Sequence, residues 1–326
     1  MNNVIVTGGS GYIGSHVVMA IRAAGFQPII IDKNYDVVEA FRSSKGLPSL
    51  GAGINADCGF DFSKEVLECT NGITPIAVIH LAGSIEVSES VSNPLKYLDN
   101  NTANTIHLLR TAEKMGINNI IFSSTAAVYG TKSFLIDEDD SLNPINPYGV
   151  SKLLAEQAIR TSRLNHVIFR FFNAAGADHE CRTGENHDPE THLIPRVLGS
   201  LANKDLITVY GTDYLTNDGT CVRDYVHVSD IADAHVLALS GLLNNMESTT
   251  LNLGSGRHSS VKDVIKIAQE VTGITGQIQY LNRRAGDPAT LLADHKKAYE
   301  QLAWQPTRSD LKTIISDAWN WYIRIN

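Results

Sequence analysis

The chain is 326 residues long, 43% hydrophobic and 19% charged, with a formal net charge of −8. That composition excludes a disordered chain, and an acidic balance with no basic stripe argues against a nucleic-acid surface. No apolar run reaches bilayer length, and Cys58, Cys69, Cys181 and Cys221 form no C-x-x-C pair, as expected of reduced thiols.

A β-branched run, Val4-Ile5-Val6, leads through Gly8, Gly11 and Gly14 into an apolar helical pattern at Ile13, Val17, Val18 and Ile21. Strand, glycine turn and helix in that order aim free backbone N–H groups and a positive helix end at a phosphate. Gly8 and Gly11 permit the turn and the approach of a pyrophosphate, while Gly14 lets the helix lie close on the strand. A second strand, 28–31, is closed by Asp32, a carboxylate at the distance expected for a ribose partner. Together these predict a dinucleotide site. With a strand starting near the third residue, no signal peptide is expected, and the setting predicted is cytoplasmic.

Residues 43–53 read as a helix end and loop, 53–57 as a short strand and 62–69 as a short helix. The run 76–81 is a strand of the buried parallel kind, and the small pair Ala82-Gly83 after it leaves room for a cofactor. One long helix is predicted over 94–115, stopped by Gly116, then a strand at 119–123, a helix at 148–162 and a strand at 167–171. Alternating units of this length predict an α/β fold, a doubly wound parallel sheet of Rossmann type. Beyond Asn173 the pattern loosens into a polar stretch, 174–191. It is followed by expected helices at 193–201, 230–243, 261–272 and 311–322 and strands at 207–210, 250–253 and 277–280. The expected division is a cofactor domain, 1–173, and a smaller mixed α/β substrate domain, 174–326, with some later segments packing back on the first.

Tyr148 and Lys152 sit four residues apart, on one face of a predicted helix. A nearby ammonium, an oxidised nicotinamide and the helix N-terminal dipole would all favour the phenolate of a group that otherwise titrates at about 10. Tyr148 is therefore a candidate general base for an alcohol proton during hydride transfer. Ser123-Ser124-Thr125 ends a strand where a hydroxyl can bond the reacting oxygen. Singly, a Tyr–Lys pair recurs by chance on many helices and strand-end hydroxyls are ordinary. In this order behind a glycine turn they are far harder to obtain by chance.

These pieces, with Val78-Ile79-His80-Leu81-Ala82-Gly83, Asp99-Asn100-Asn101, Phe122 to Gly130, Pro147 to Lys152, Arg170-Phe171-Phe172-Asn173 and the string Asp218-Gly219-Thr220-Cys221-Val222-Arg223-Asp224-Tyr225-Val226-His227-Val228, resemble the extended short-chain dehydrogenase/reductase family. Within it, nearly end to end, the likeness is to the UDP-glucose 4-epimerases. The resemblance implies NAD as cofactor and inversion at C4 between UDP-glucose and UDP-galactose through a 4-keto intermediate, with Thr125, Tyr148 and Lys152 catalytic. It implies a cofactor wall of Gly8, Gly11, Tyr12, Ile13, Gly14, Asp32, Asn34, Asp57 and Cys58 beside the adenine, Leu81, Ala82, Gly83, Asn100, Ser123, Tyr148, Lys152, and Phe171 at the nicotinamide end. Thr125, Asn173, Leu193, Tyr210, Arg223, Arg284, Asp287 and Leu291 would hold the UDP-sugar. A homodimer could pair the helices 94–115 and 148–162.

In an acidic protein a nucleoside diphosphate needs local cations, and Arg223 and Arg284 suit that through bidentate guanidinium contacts. Their other reading is a surface salt bridge with Asp224 or Asp287; the family likeness favours the first. His179, Cys181, His187, Asp188 and His192 match no standard zinc spacing, so no metal is expected and the segment reads as a substrate flap. Two departures from the family pattern stand out: Thr125 where many members have serine, and Ser84-Ile85 where some carry a lysine near the cofactor phosphates. Lys33 could tolerate a 2′-phosphate, although Asp32 argues for NAD. A 4,6-dehydratase would need a carboxylate where Ala126 and Ala127 stand, and a non-catalytic dinucleotide sensor would not need Thr125, Tyr148 and Lys152 together. Leu291 stands where family members confined to unacetylated hexoses tend to have tyrosine, which implies room for an N-acetyl group.

Overall fold

The structure, a computed structural model, describes residues 2–132, 135–284 and 288–326. Its strands are β1 (Asn3–Thr7), β2 (Gln27–Ile31), β3 (Gly53–Ile54), β4 (Ala77–His80), β5 (Asn119–Thr125), β6 (Leu135–Ile136), β7 (Asn165–Phe171), β8 (Asn173–Ala175), β9 (Ile207–Tyr210), β10 (Val222–His227), β11 (Thr249–Leu253), β12 (His258–Ser260), β13 (Ile278–Leu281) and β14 (Thr290–Ala293).

The main sheet runs β11-β7-β5-β4-β1-β2-β3 among the described residues, every neighbouring pair parallel. Alternation along β1 sends its side chains to two different cores. Val4 and Val6 meet Val17 and Ile21 of the helix Tyr12–Ala23, with Leu239 of Val228–Leu243, while Ile5 packs with Val78, Leu108 and Ile159 on the other face. Each such fully buried aliphatic side chain contributes roughly 1.5–3 kcal/mol. Burial on both faces explains why these strands read as unbroken apolar runs. The one polar member of β4, His80, is satisfied inside: its Nδ1 lies 2.6 Å from Thr7 Oγ1 and its Nε2 2.9 Å from Thr105 Oγ1. Burial lowers its pKa to about 3, so the ring is neutral.

A second layer is built around β10, in the order β12-β10-β14-β6 with β8 also paired to β10; β13 and β9 form a separate parallel pair. Helices Leu193–Asn203, Val261–Thr272 and Leu311–Ile325 cover it through Ile194, Val264 and Ile314. The helix at 261 starts with a capping box between Ser260 and Asp263. β11 comes late in the chain yet closes the edge of the main sheet on β7.

The region predicted as one helix over 94–115 is instead Pro94–Tyr97, a π-helical turn Leu98–Ala103, and Asn104–Met115, ended by Gly116 at φ 75°. The strands β6, β10, β12 and β14 and the helices Val87–Ser92 and Lys296–Leu302 were not expected. They are short or carry charges, which hides a period of 2 or 3.6.

Candidate active site

A cavity of about 720 Å3 opens over the carboxyl ends of β1, β2, β4, β5 and β7, lined by Gly8, Asp32, Leu81, Ser123, Thr125 and Phe171 among others. Strand order reverses at β1, between β2 and β4, and such a switch point is where open α/β sheets bind ligands. The glycine turn is shaped for a close neighbour. Gly8 sits at φ 69°, and a Cβ there would lie 2.6 Å from Ala82 N; a Cβ on Gly14 would collide with Gly8 O. Asp32 ties the turn down, accepting from Ser10 N at 3.1 Å and Asn34 N at 2.9 Å. Tyr12 spans the cleft, its hydroxyl donating to Gly176 O at 2.7 Å.

Gly11, Tyr12, Ile13, Gly14, Asn34, Asp57, Cys58, Ala82, Gly83, Asn100, Tyr148 and Lys152 all line this cavity too. Asp57 accepts from Gly59 N and Asn104 Nδ2, and burial pushes the Cys58 thiol up to about 12, so it is no thiolate. The loop after β4 is held by the π-turn: Asn100 Nδ2 donates to Ser84 Oγ at 2.8 Å, and Asn101 Oδ1 accepts from Ser84 N at 2.7 Å. Asn101, absent from the expected site, is the residue that fixes Ser84-Ile85 where a lysine was missed. Its signal was the Asp99-Asn100-Asn101 string itself.

The reacting groups converge on β5 and the helix Pro147–Thr161. Asn146 caps that helix by accepting from Gly149 N at 2.8 Å, and Pro147 occupies its first turn, so Tyr148 and Lys152 are rigidly presented. Thr125 beside the phenol acts to lower the Tyr148 pKa, and the Tyr97 ring meets the Tyr148 ring edge-on at 6.3 Å. Lys152 Nζ donates to Ser123 O at 2.9 Å and lies 4.9 Å from the Phe122 ring centroid. The expectation that Lys152 depresses the phenol's pKa is not met in the chain alone. Burial raises Tyr148, Thr125 alone pulls it down, and burial lowers Lys152 to about 8. The lysine is engaged with the strand carbonyl, so the remaining push toward phenolate has to arrive with a positively charged ligand.

Of the three strand-end hydroxyls, Ser124 is spent on Glu156 at 2.5 Å, inside a buried pair in which Arg170 Nη2 lies 2.8 Å from Glu156 Oε2. Ser123 Oγ is buried without a hydrogen-bond partner among the described residues. Thr125 faces the cavity. A glycine turn lining the cavity, a tethered acid at the end of β2 and an orphaned hydroxyl fit a dinucleotide.

Asn173 and Leu193 line the same cavity; Asn173 Nδ2 donates to Asp224 O at 2.8 Å. Tyr210, Arg223, Arg284 and Leu291 stand beyond its described lining, in the second layer. Arg284 stacks 4.0 Å over the Tyr210 ring, and Arg223 donates to Pro288 O at 2.8 Å while pairing in register with Leu291. Leu291 is half-buried against the Ala126, Tyr129 and Phe172 cluster. Asp287 lies outside the described residues. The expected flap brings Glu185, His187 and His192 to the cavity; burial would lower His192, but the hydrogen bonds its ring donates to Glu185 and Glu190 outweigh that and raise it to about 10.

Residues 4–254 match the model of the NAD dependent epimerase/dehydratase family. Among curated proteins, a UDP-glucose 4-epimerase of Rhizobium meliloti (strain 1021) is 43% identical over 331 residues, covering 100% of this chain and 98% of the relative. The crystal structure of a UDP-glucose 4-epimerase from Brucella ovis in complex with NAD superposes with a TM-score of 0.90 at 40% identity, covering 98% of each chain. The UDP-Glc/GlcNAc 4-epimerase of Campylobacter jejuni aligns at a TM-score of 0.81 and 36% identity, over 99% of this chain and 100% of the other.

Proposed function

Because the chain belongs to the NAD dependent epimerase/dehydratase family, we propose that it inverts C4 of a UDP-hexose, interconverting UDP-glucose and UDP-galactose. The observation that carries this reading is the gathering of Thr125, Tyr148 and the buried Lys152, one helical turn on, in one cavity with the glycine turn. NAD, held by the Gly8–Gly14 turn, Asp32 and the β4–β5 wall, supplies a hydride acceptor and a positive charge beside the phenol. Tyr148 as phenolate takes the proton of the sugar's 4-hydroxyl as C4 gives up its hydride. Thr125 holds the same oxygen, and Lys152, fixed on Ser123 O, positions the ribose. The 4-ketose, tethered by its diphosphate, presents its other face; hydride returns to C4, and Tyr148 gives the proton back.

Three finer points belong to the same proposal. Residues 1–173 supply the cofactor half and 174–326 the sugar half; Asn173, at the junction, and Leu193, Tyr210, Arg223, Arg284, Asp287 and Leu291 take the UDP-sugar. Leucine at 291 leaves space for an N-acetyl group, so UDP-N-acetylglucosamine is a second substrate; the naming of the Campylobacter jejuni relative supports this. The protein works as a cytoplasmic homodimer joined through the exposed Leu95, Ile106, Val150 and Leu154. Among the described residues no helix is long and apolar enough to cross a membrane.

The test is to incubate purified protein with UDP-galactose and no added oxidant, and to analyse products and the nucleotide released on denaturation. UDP-glucose and protein-bound NAD are expected. NADH accumulating in step with product indicates a dehydrogenase and overturns the reading.

A further inference from the structure

We propose that Glu185, His187, Glu190 and His192 form a site for one divalent transition cation of the Zn2+ class at the mouth of the cleft. The spacing argument against a metal weighed His179, Cys181 and Asp188 alongside the two histidines. The fold selects a different four, with one ligand atom of each within 4.8 Å of all the others.

Their geometry is a ring rather than two separate ion pairs. Glu185 Oε1 lies 3.1 Å from His187 Nδ1 and 2.7 Å from His192 Nδ1, while Glu190 faces the same two nitrogens at 3.9 and 3.2 Å. A tetrahedral ion with ligand bonds of about 2.0–2.1 Å needs ligand–ligand edges of about 3.3 Å. The four separations straddle that figure, so small side-chain adjustments seat an ion at the shared centre. Two imidazoles and two carboxylates are donors that suit Zn2+, and the two carboxylate charges balance one divalent ion that binds by displacing protons from the rings. Four protein ligands leave no open position, so the ion holds structure rather than activating water.

What it would hold is visible in the neighbours. Glu185 O accepts from Trp321 Nε1 at 2.8 Å, Thr191 donates to Glu86 at 2.7 Å, and His187 meets the Tyr12 ring edge-on at 6.4 Å. His192 directly precedes the helix Leu193–Asn203. The ion therefore fastens residues 185–192 to the glycine turn on one side and to the start of a second-layer helix on the other.

Tag-free protein stripped with a chelator, loaded with Zn2+ or Co2+ and dialysed, tests this without reference to catalysis. One Zn2+ per chain is expected by elemental analysis, together with the intense visible absorption of tetrahedral Co2+, displaced by Zn2+. Both are lost in the His187→Ala/His192→Ala double variant and kept in His179→Ala, whose ring lies outside the four. Glu190→Gln, a gentler change, lowers affinity at least about 10-fold and decides the matter if the double variant does not fold. Zn2+ content well below one per chain, equal content in the Glu190→Gln and parent proteins, or the weak spectrum of six-coordinate Co2+ overturns the proposal.

Discussion

Thr125→Val removes one hydroxyl and leaves the side-chain shape nearly unchanged. Thr125 Oγ1 does two things: it accepts from Ala127 N at 3.1 Å, capping the turn Ala126–Tyr129, and it acts on the neighbouring Tyr148 phenol to lower its pKa. Loss of the cap costs about 1 kcal/mol of stability. Loss of a hydrogen bond to a group that becomes charged costs about 1.5–3 kcal/mol of transition-state stabilisation, or roughly 10–150-fold in kcat/KM. The pH profile carries the sharper signature. Thr125 is the influence that pulls the Tyr148 pKa down against burial, so without it that pKa rises further. Because the phenolate is the active form, the acid limb of kcat/KM moves to higher pH, and the variant loses most at neutral pH and least at alkaline pH. Initial rates of UDP-galactose conversion across that range, for the parent, Thr125→Val and Thr125→Ser, measure it. Serine restores the hydroxyl and should restore both rate and profile. Parental rates with an unshifted limb in the valine variant would refute the reasoning. So would equal losses in the serine and valine variants, since the methyl would then matter and the hydroxyl would not.

Tyr148→Phe keeps the ring against Tyr97 but removes the proton acceptor; turnover should fall by about 10²–10⁴-fold with the thermal midpoint unchanged, read by product analysis and calorimetry. Leu291→Tyr should depress conversion of UDP-N-acetylglucosamine over UDP-glucose by about 1–3 kcal/mol, measured as the ratio of the two kcat/KM values; equal losses would remove Leu291 from specificity. Glu156→Ala strands the buried Arg170 guanidinium and should destabilise the protein by about 3–5 kcal/mol, lowering Tm by about 4–7 °C in thermal melts.

The glycine turn, Asp32, Thr125, Tyr148 and Lys152 were legible because each lies on or beside an element whose local pattern is strong. A buried parallel strand announces itself by an unbroken apolar run, and the helix of Tyr148 by Asn146 and Pro147. β10 was hidden inside the most telling string of the sequence because Arg223 and Asp224 look like surface charges. Asp224 is fully buried, and four donors satisfy it: Ser255 N and Oγ at 2.7 Å each, Gly256 N at 3.0 Å and Ala293 N at 3.1 Å. None of those donors can be foreseen from residues 222–227. Lys152's attachment to Ser123 O, the π-turn at Leu98–Ala103 and the gathering of Glu185 and Glu190 around two histidines are likewise products of tertiary placement, which periodicity does not encode.

The late arrival of β11 at the edge of the main sheet has a consequence for how the protein is made. β7 is complete once residue 171 has emerged from the ribosome, but its partner on that side is residues 249–253. At about 5–20 residues per second the nascent chain spends on the order of 4–16 s with that edge unpaired. The exposed ladder belongs to Val167, Ile168 and Phe169, the kind of apolar edge that templates pairing with another chain. Synthesis therefore passes through an interval in which polysome neighbours carry the same open edge side by side. Slow translation between residues 171 and 253 should favour association of nascent chains over release of the native monomer fold.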